Sequence, residues 1–126
     1  AQALLDYVSR WQEHTGIKVE IAATGERPLP LDVEQALYRV SQEALSNIAR
    51  HAEADAVQLT LSMTLDQVTL VIADNGRGFD PTAISAHTLG LKGMQQRINE
   101  IGGSIRVESK PAAGTTITVA IPKSAE

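Results

Sequence analysis

The chain has 126 residues, 15 acidic and 11 basic side chains for a net charge of -4, no cysteine, and four aromatic residues, Tyr7, Trp11, Tyr38 and Phe79. A length this ordinary predicts a single domain over residues 1–126 with one core that needs no staple, and the missing thiols exclude a disulfide framework, thiolate metal sites and a Cys nucleophile. The acidic balance argues against a nucleic-acid binder and the scarce aromatics against a base-stacking platform, while no apolar run approaches the ~20 residues that span a bilayer. A soluble, cytoplasmic unit without direct membrane contact is expected, and the absence of an initial methionine points to an excised fragment or a processed product.

Leu4, Leu5, Val8 and Trp11 fall on one helical face, with Gly16 placed to stop the helix. Ile17, Val19 and Ile21 alternate with Lys18 and Glu20, the period of a strand with one wet face, and Thr24 to Pro30 is a loop. From Leu31 to Ala52, Val33, Leu37, Val40, Ala44 and Ile48 recur at spacings of three and four, which predicts a long amphipathic helix. Val57, Leu59, Leu61 and Met63 then alternate with polar residues, and after a turn at Asp66 the run Val68 to Ala73 is apolar on both faces, a hairpin leading into a buried strand.

Asp74-Asn75-Gly76-Arg77-Gly78 breaks that strand, and Phe79 to Leu89 shows no period, so it reads as a loop of functional length, a possible lid. Leu91, Met94, Ile98 and Ile101 predict a third helix ended by Gly102-Gly103, and Ser104–Ser109 and Thr115–Ile121 two last strands around a turn. This order is not the strict alternation of a parallel doubly wound sheet. It favours an α/β two-layer sandwich, with three helices on one face of a mixed, mostly antiparallel five-stranded sheet.

Arg39, Glu43, Asn47 and Arg50 follow one another at spacings of four, four and three on the long helix, along the border of its apolar arc. They form either an ordinary solvated edge or one wall of a cleft. A carboxylate and an amide one turn apart suit an oxygen-coordinated Mg²⁺ that keeps several waters, with Arg50 in reach of a phosphate. An Asp at a strand end followed by glycines, as at Asp74, is either a tight turn or an acceptor for an exocyclic amine beside backbone that a flat ligand can approach. Gly90-Leu91-Lys92-Gly93-Met94 opens the third helix, and a glycine-flanked helix N-terminus can receive phosphate. No Gly-Lys-Thr core of a P-loop and no G-x-G-x-x-G after a strand is present, and His14, His51 and His87 lie in separate segments with no metal-ligand spacing.

In this order the pieces resemble the catalytic domain of sensor histidine kinases, in the ATPase superfamily shared with gyrase, a heat-shock chaperone and mismatch-repair proteins. Gln42-Glu-Ala-Leu-Ser-Asn47-Ile-Ala-Arg-His-Ala52 is similar to that family's N box, Asp74 to Gly78 to its first glycine box, and Gly90 to Met94 with Gly114-Thr115-Thr116 to its second, a likeness running from Leu31 to Pro122. The form of the N box and the run Gly-Leu-Lys-Gly-Met-Gln-Gln-Arg resemble the nitrate-sensor type, although a separate phenylalanine-rich lid motif is missing. The resemblance implies ATP and Mg²⁺ as cofactors, Glu43 as the catalytic group that polarises the reacting group or a water, Asn47 as metal ligand, and Arg50 on phosphate. Asp74 would bind the adenine amine, and Gly76, Gly78, Gly90, Leu91, Gly93 and Thr116 would shape or contact the nucleotide pocket.

By the same resemblance the γ-phosphoryl group goes to a histidine on a dimerisation domain absent from this chain, for relay to a response regulator with a helix-turn-helix output, and the isolated domain is a monomer. An anti-sigma-type serine kinase or ATPase of the same superfamily, or a docking module that only binds nucleotide, are the rival readings. A His next to an acidic residue on an upstream helical hairpin would distinguish the first.

Overall fold

The computed structural model describes residues 2–25, 28–78 and 86–122, and of residues 51, 52 and 86–89 it describes the backbone alone. The elements are α1 (Gln2–Thr15), β1 (Lys18–Thr24), α2 (Leu31–Asn47) prolonged by a π-helical turn (Ile48–Ala52), β2 (Ala56–Met63), β3 (Gln67–Asp74), α3 (Ala86–Glu100), β4 (Ser104–Ser109) and β5 (Thr115–Pro122).

The five strands form one sheet in the order β1-β2-β3-β5-β4, parallel at β1–β2 and antiparallel at the other three joints. A parallel joint needs a crossover, and α2 supplies it. Because side chains alternate along a strand, the register puts Leu59, Ile72 and Ile117 in one row and Leu61, Leu70 and Val119 in the next, all buried. The rows between them carry Gln58, Thr60, Thr69, Thr116 and Thr118, which are exposed or half-buried.

One face is therefore apolar, and the three helices lie on it. From α2, Val33, Ala36, Leu37, Val40, Ala44, Leu45 and Ile48 join the same core as Leu4, Val8 and Trp11 of α1 and Met94 and Ile98 of α3. The Tyr7 ring of α1 tilts against Tyr38 of α2 with centroids 5.5 Å apart. The expected two-layer architecture holds, and no described helix is long and apolar enough to cross a membrane.

Gly16 ends α1 with φ 76° and donates its N–H to the Gln12 carbonyl, a left-handed stop available at little cost to glycine. Gly102 does the same for α3 with φ 80°, and the following Gly103 N–H bonds the Ile98 carbonyl.

Two boundaries differ from the sequence expectation. The α-helical period stops at Asn47, and the stretch Ile48–Ala52 closes as a π turn into Glu53, whose φ of 52° is left-handed. Asp74 ends β3, as its place after the apolar run suggested, paired with both Val57 and Thr115. Of the loop expected over Phe79 to Leu89, residues 79–85 lie outside the described set, and 86–89 already form the first turn of α3. Gly90 and Leu91 therefore sit inside that helix rather than at its start.

Leu70 is fully buried at the centre of the sheet, whereas Leu65 at the β2–β3 turn is 81% exposed. Leu70→Ala should lose about 2–5 kcal/mol of unfolding free energy and Leu65→Ala less than about 0.5, measured by urea titration. Ser41 of α2 is 0% exposed and its hydroxyl has no hydrogen-bond partner among the described residues. An unsatisfied buried hydroxyl is costly and Ala is the better helix former, so Ser41→Ala should stabilise the fold, by about 1 kcal/mol in the same titration.

Candidate functional site

Once the apolar arc of α2 is pressed on the sheet, Glu43 and Asn47 are left half-buried on the flank of the helix. There they meet α3, which packs beside α2. A Cβ built on Gly90 would stand 2.8 Å from Glu43 Oε1 and 3.7 Å from Asn47 Nδ2. The backbone of α3 thus lies directly on the two polar groups, and any side chain at position 90 would displace the Glu43 carboxylate. Glycine inside a helix costs roughly 1 kcal/mol relative to alanine, and this close approach is the physical reason it stands there. The expectation that Gly90 offers free N–H groups at a helix start is corrected accordingly.

The other glycine of that motif, Gly93, is exposed and has open space around it. Leu91 is half-buried and packs on the hydrophobic core.

Arg50 falls in the π turn rather than one α-helical turn beyond Asn47. It is exposed, and its Nε donates to the Ser46 carbonyl at 3.4 Å. Arg39, one turn before Glu43, is exposed as well and lines a cavity of about 540 Å³ with Leu4, Leu29, Leu37, Leu61 and Arg97. That cavity lies over the first half of α2 and shares no lining residue with the set around Glu43 and Asp74.

Asp74 closes β3 on the helix-facing row, since it shares the parity of Val68, Leu70 and Ile72. It is half-buried, and its Oδ1 accepts the Gly76 N–H at 2.8 Å, a turn closed by an aspartate side chain. Gly76 is buried.

Beneath this turn runs the β4–β5 connection. A Cβ on Gly114 would come within 2.3 Å of the Asp74 carbonyl oxygen, and one on Gly78 within 2.0 Å of the Lys110 carbonyl oxygen. Both glycines also have left-handed φ, 76° and 64°. Their missing side chains make room for protein backbone, although at Gly78 the sequence suggested room for a ligand. The Ala112 N–H to Arg77 carbonyl bond, 2.5 Å, ties the two segments together.

The register also settles which threonine accompanies Asp74. Thr115 pairs with Asp74 on the helix-facing side, whereas Thr116 pairs with Ala73 and belongs to the opposite, open face. Thr115 Oγ1 lies 2.8 Å from Ser109 Oγ, which itself reaches the Gly114 carbonyl at 3.2 Å. Thr116, the threonine expected at the pocket, thus lies on the face away from the helices, and Thr115, with Ser109 as its hydroxyl neighbour, stands beside Asp74. Only strand pairing carries that signal.

Two groups thus emerge at the same end of the helical layer: a carboxylate and an amide under the backbone of α3, and an aspartate over a glycine-bonded turn at the end of β3. Glu43 and Asn47 supply two oxygen-bearing side chains, and no cluster of three or more His, Cys, Asp or Glu that could hold a metal exists among the described residues. A donor set this sparse fits a hard cation such as Mg²⁺, which keeps waters and takes its remaining ligands from substrate phosphates.

The profile of the "Histidine kinase-, DNA gyrase B-, and HSP90-like ATPase" family matches residues 32–125. Among curated proteins, the chain is 42% identical over 125 residues to the signal transduction histidine-protein kinase/phosphatase DegS of Brevibacillus brevis, covering 98% of this chain and 32% of that protein. It is also 42% identical over 90 residues to the sensor histidine kinase LiaS of Bacillus subtilis, 71% of this chain and 25% of the relative. The chain spans about a third or less of the curated relatives it matches.

Among solved structures, the histidine kinase domain of the blue-light activated histidine kinase of Erythrobacter litoralis superposes with a TM-score of 0.77 at 26% identity, covering 94% of this chain and 58% of that one. The mycobacterial sensor histidine kinase MprB shares the fold, with a TM-score of 0.70 at 24% identity over 96% of this chain and 92% of that chain. The chain belongs to the histidine kinase-, DNA gyrase B- and HSP90-like ATPase family, as an ATP-binding domain of the histidine kinase kind.

Proposed function

We propose that this domain binds ATP with Mg²⁺ between α2, α3 and the end of β3, and passes the γ-phosphoryl group to a histidine on a dimerisation domain elsewhere in the full protein. The observation that carries this reading is the seating of the Gly90 backbone on Glu43 and Asn47, at the same end of the molecule as Asp74 and its turn. Relatives named as histidine kinases support the acceptor over a serine or a purely docking role. The subfamily is the nitrate-sensor type, the downstream partner a response regulator with a helix-turn-helix output, the isolated domain a monomer and its compartment the cytoplasm; the forms of the N box and of residues 90–97 support the first two.

Each role follows from chemistry at a stated place. Asp74 accepts the exocyclic amine of adenine, and Gly76 holds its carboxylate in that direction through the 2.8 Å bond. Asn47 offers its side-chain oxygen to Mg²⁺, which when bound neutralises charge on the phosphates. Glu43, held beside it, accepts the N–H of the incoming imidazole, so that the other ring nitrogen is the better nucleophile. That nitrogen attacks the γ-phosphorus, the bond to the ADP oxygen breaks, and ADP leaves with the electron pair. Arg50, in the π turn that follows Asn47, steadies phosphate oxygens with its guanidinium. Gly78, Gly93 and Leu91 frame the pocket, with Thr115 on its inner side. Such transfer needs positioning and charge neutralisation more than covalent help, which is what a carboxylate and an amide on one rigid helix supply.

Asp74→Ala should cost ~1.5 to 3 kcal/mol of nucleotide binding, roughly 10- to 150-fold in affinity by calorimetry, with the variant still folded. Unchanged affinity would remove adenine recognition from this residue.

The chain alone should bind ATP without labelling itself, because an attacking nitrogen must come within about 3 to 3.5 Å of the γ-phosphorus in line with the leaving oxygen. His14 stands in the last turn of α1, and His51 is held in the π turn beyond the proposed Mg²⁺ ligand. Incubation with radiolabelled ATP should place acid-labile phosphate only on an added dimerisation segment from the same gene, and Asn47→Ala should abolish that label. Label on the isolated domain that vanishes in His87→Ala would overturn the assignment of the acceptor.

A further inference from the structure

Next to Asp74 stands a residue whose side chain serves a different part of the molecule. Asn75 Oδ1 accepts the backbone N–H of both Asp55 and Ala56, each at 3.1 Å, and its Nδ2 donates to Asp55 Oδ1 at 2.6 Å. Its own N–H bonds the Ala56 carbonyl at 3.3 Å, which carries the β2–β3 ladder one step past the Val57–Asp74 pair. One asparagine therefore uses an acceptor, a donor and its backbone on two consecutive residues.

Those two residues occupy a decisive place. Asp55 and Ala56 follow the left-handed Glu53 that closes the π turn, so they are where the helix carrying Glu43, Asn47 and Arg50 hands over to the sheet. On its other flank the Asp74 backbone rests on Gly114. The peptide between Asp74 and Asn75 is thus gripped from β5 by a close backbone contact and from β2 by the asparagine. With Gly76 drawn back onto the Asp74 carboxylate, the direction of that carboxylate depends on where residue 75 is fixed.

We propose that Asn75 is a positioning residue that sets the Asp74 carboxylate for the purine and thereby governs discrimination between adenine and guanine nucleotides. The inference rests on the reading that Asp74 meets the adenine amine. Adenine offers a donor at that edge and guanine a carbonyl oxygen, which a carboxylate repels. The preference is sharp while the carboxylate is fixed and weakens when it can turn away.

The test is titration calorimetry with Mg-ADP and Mg-GDP, which turn over neither nucleotide, at a temperature where circular dichroism shows each variant folded. The wild-type chain should prefer ADP. Asn75→Ala should bind ADP about tenfold more weakly while GDP is nearly unchanged, so the preference shrinks by the same factor. Loss of stability alone would lower both affinities together and leave their ratio intact. Asn75→Asp keeps an acceptor for the two N–H groups but turns an oxygen toward Asp55, and it should lose at least as much ADP affinity. Adding Asp55→Asn rebuilds the donor and acceptor in reverse and should return ADP binding to within about threefold of wild type.

An unchanged ADP to GDP ratio in Asn75→Ala, or no recovery in the double variant, would overturn the inference while leaving the nucleotide reading standing. If Asn75→Ala does not fold, the single and double substitutions at 75 and 55 make the same comparison. A wild-type chain without preference for ADP would overturn the nucleotide reading and this inference with it.

Discussion

The burial of one stripe of α2 against one face of the sheet is the constraint on which the rest depends. The stripe runs Val33, Ala36, Leu37, Val40, Ala44, Leu45, Ile48, and every member is buried. Its rows leave no rotational freedom, since turning the helix by one residue, about 100°, would bring polar side chains onto Leu59 and Leu70. Glu43 and Asn47 flank that stripe, so packing alone delivers them to the seam with α3. A polar pair held on a helix locked by its core loses little freedom when it takes up a ligand, and that is the advantage of building the proposed site on this element.

The second constraint is close backbone contact. Gly90 lies on the Glu43 carboxylate, Gly114 on the Asp74 carbonyl and Gly78 on the Lys110 carbonyl. Each is a place where two segments approach more nearly than any Cβ allows. The glycine motif after β3 is consequently part of a three-way joint among β3, its following turn and the β4–β5 connection. Asp74 owes its position to that joint as much as to its own strand.

Much of this was legible in the sequence. Alternation in β2 and the three-and-four spacing in α2 marked the sheet face and the helix face, and the glycines at 16 and 102 marked helix ends. The residues of the site were legible as types in an order that resembles a known family. What could not be read were relations between segments. An α-helical period and a π turn share the same apolar spacing over five residues, so the change after Asn47 left no trace in the pattern. The start of α3 was hidden because Ala86 to Gly90 supplies no apolar period. Gly90 read as a helix start because a glycine with a packing partner in another element looks like a glycine with a free backbone. Asn75 passed as a turn residue because its partners, Asp55 and Ala56, are about twenty positions away.

The adjacent threonines show how far such relations reach into the chemistry. Thr115 and Thr116 are the same residue type at neighbouring positions, and a register shift of one would exchange their faces along with every residue of β5. The buried row Ile117, Val119 and Ile121 opposes that shift by keeping its apolar side on the helices. Gly114 opposes it a second time, because in the observed register the Asp74 carbonyl lies where a Cβ on residue 114 would stand, and a shift would put Ala113 or Thr115 there instead. The glycine therefore selects Thr115 as the hydroxyl beside Asp74. Gly114 is thus, physically, the device that registers two strands and with them the wall of the proposed site.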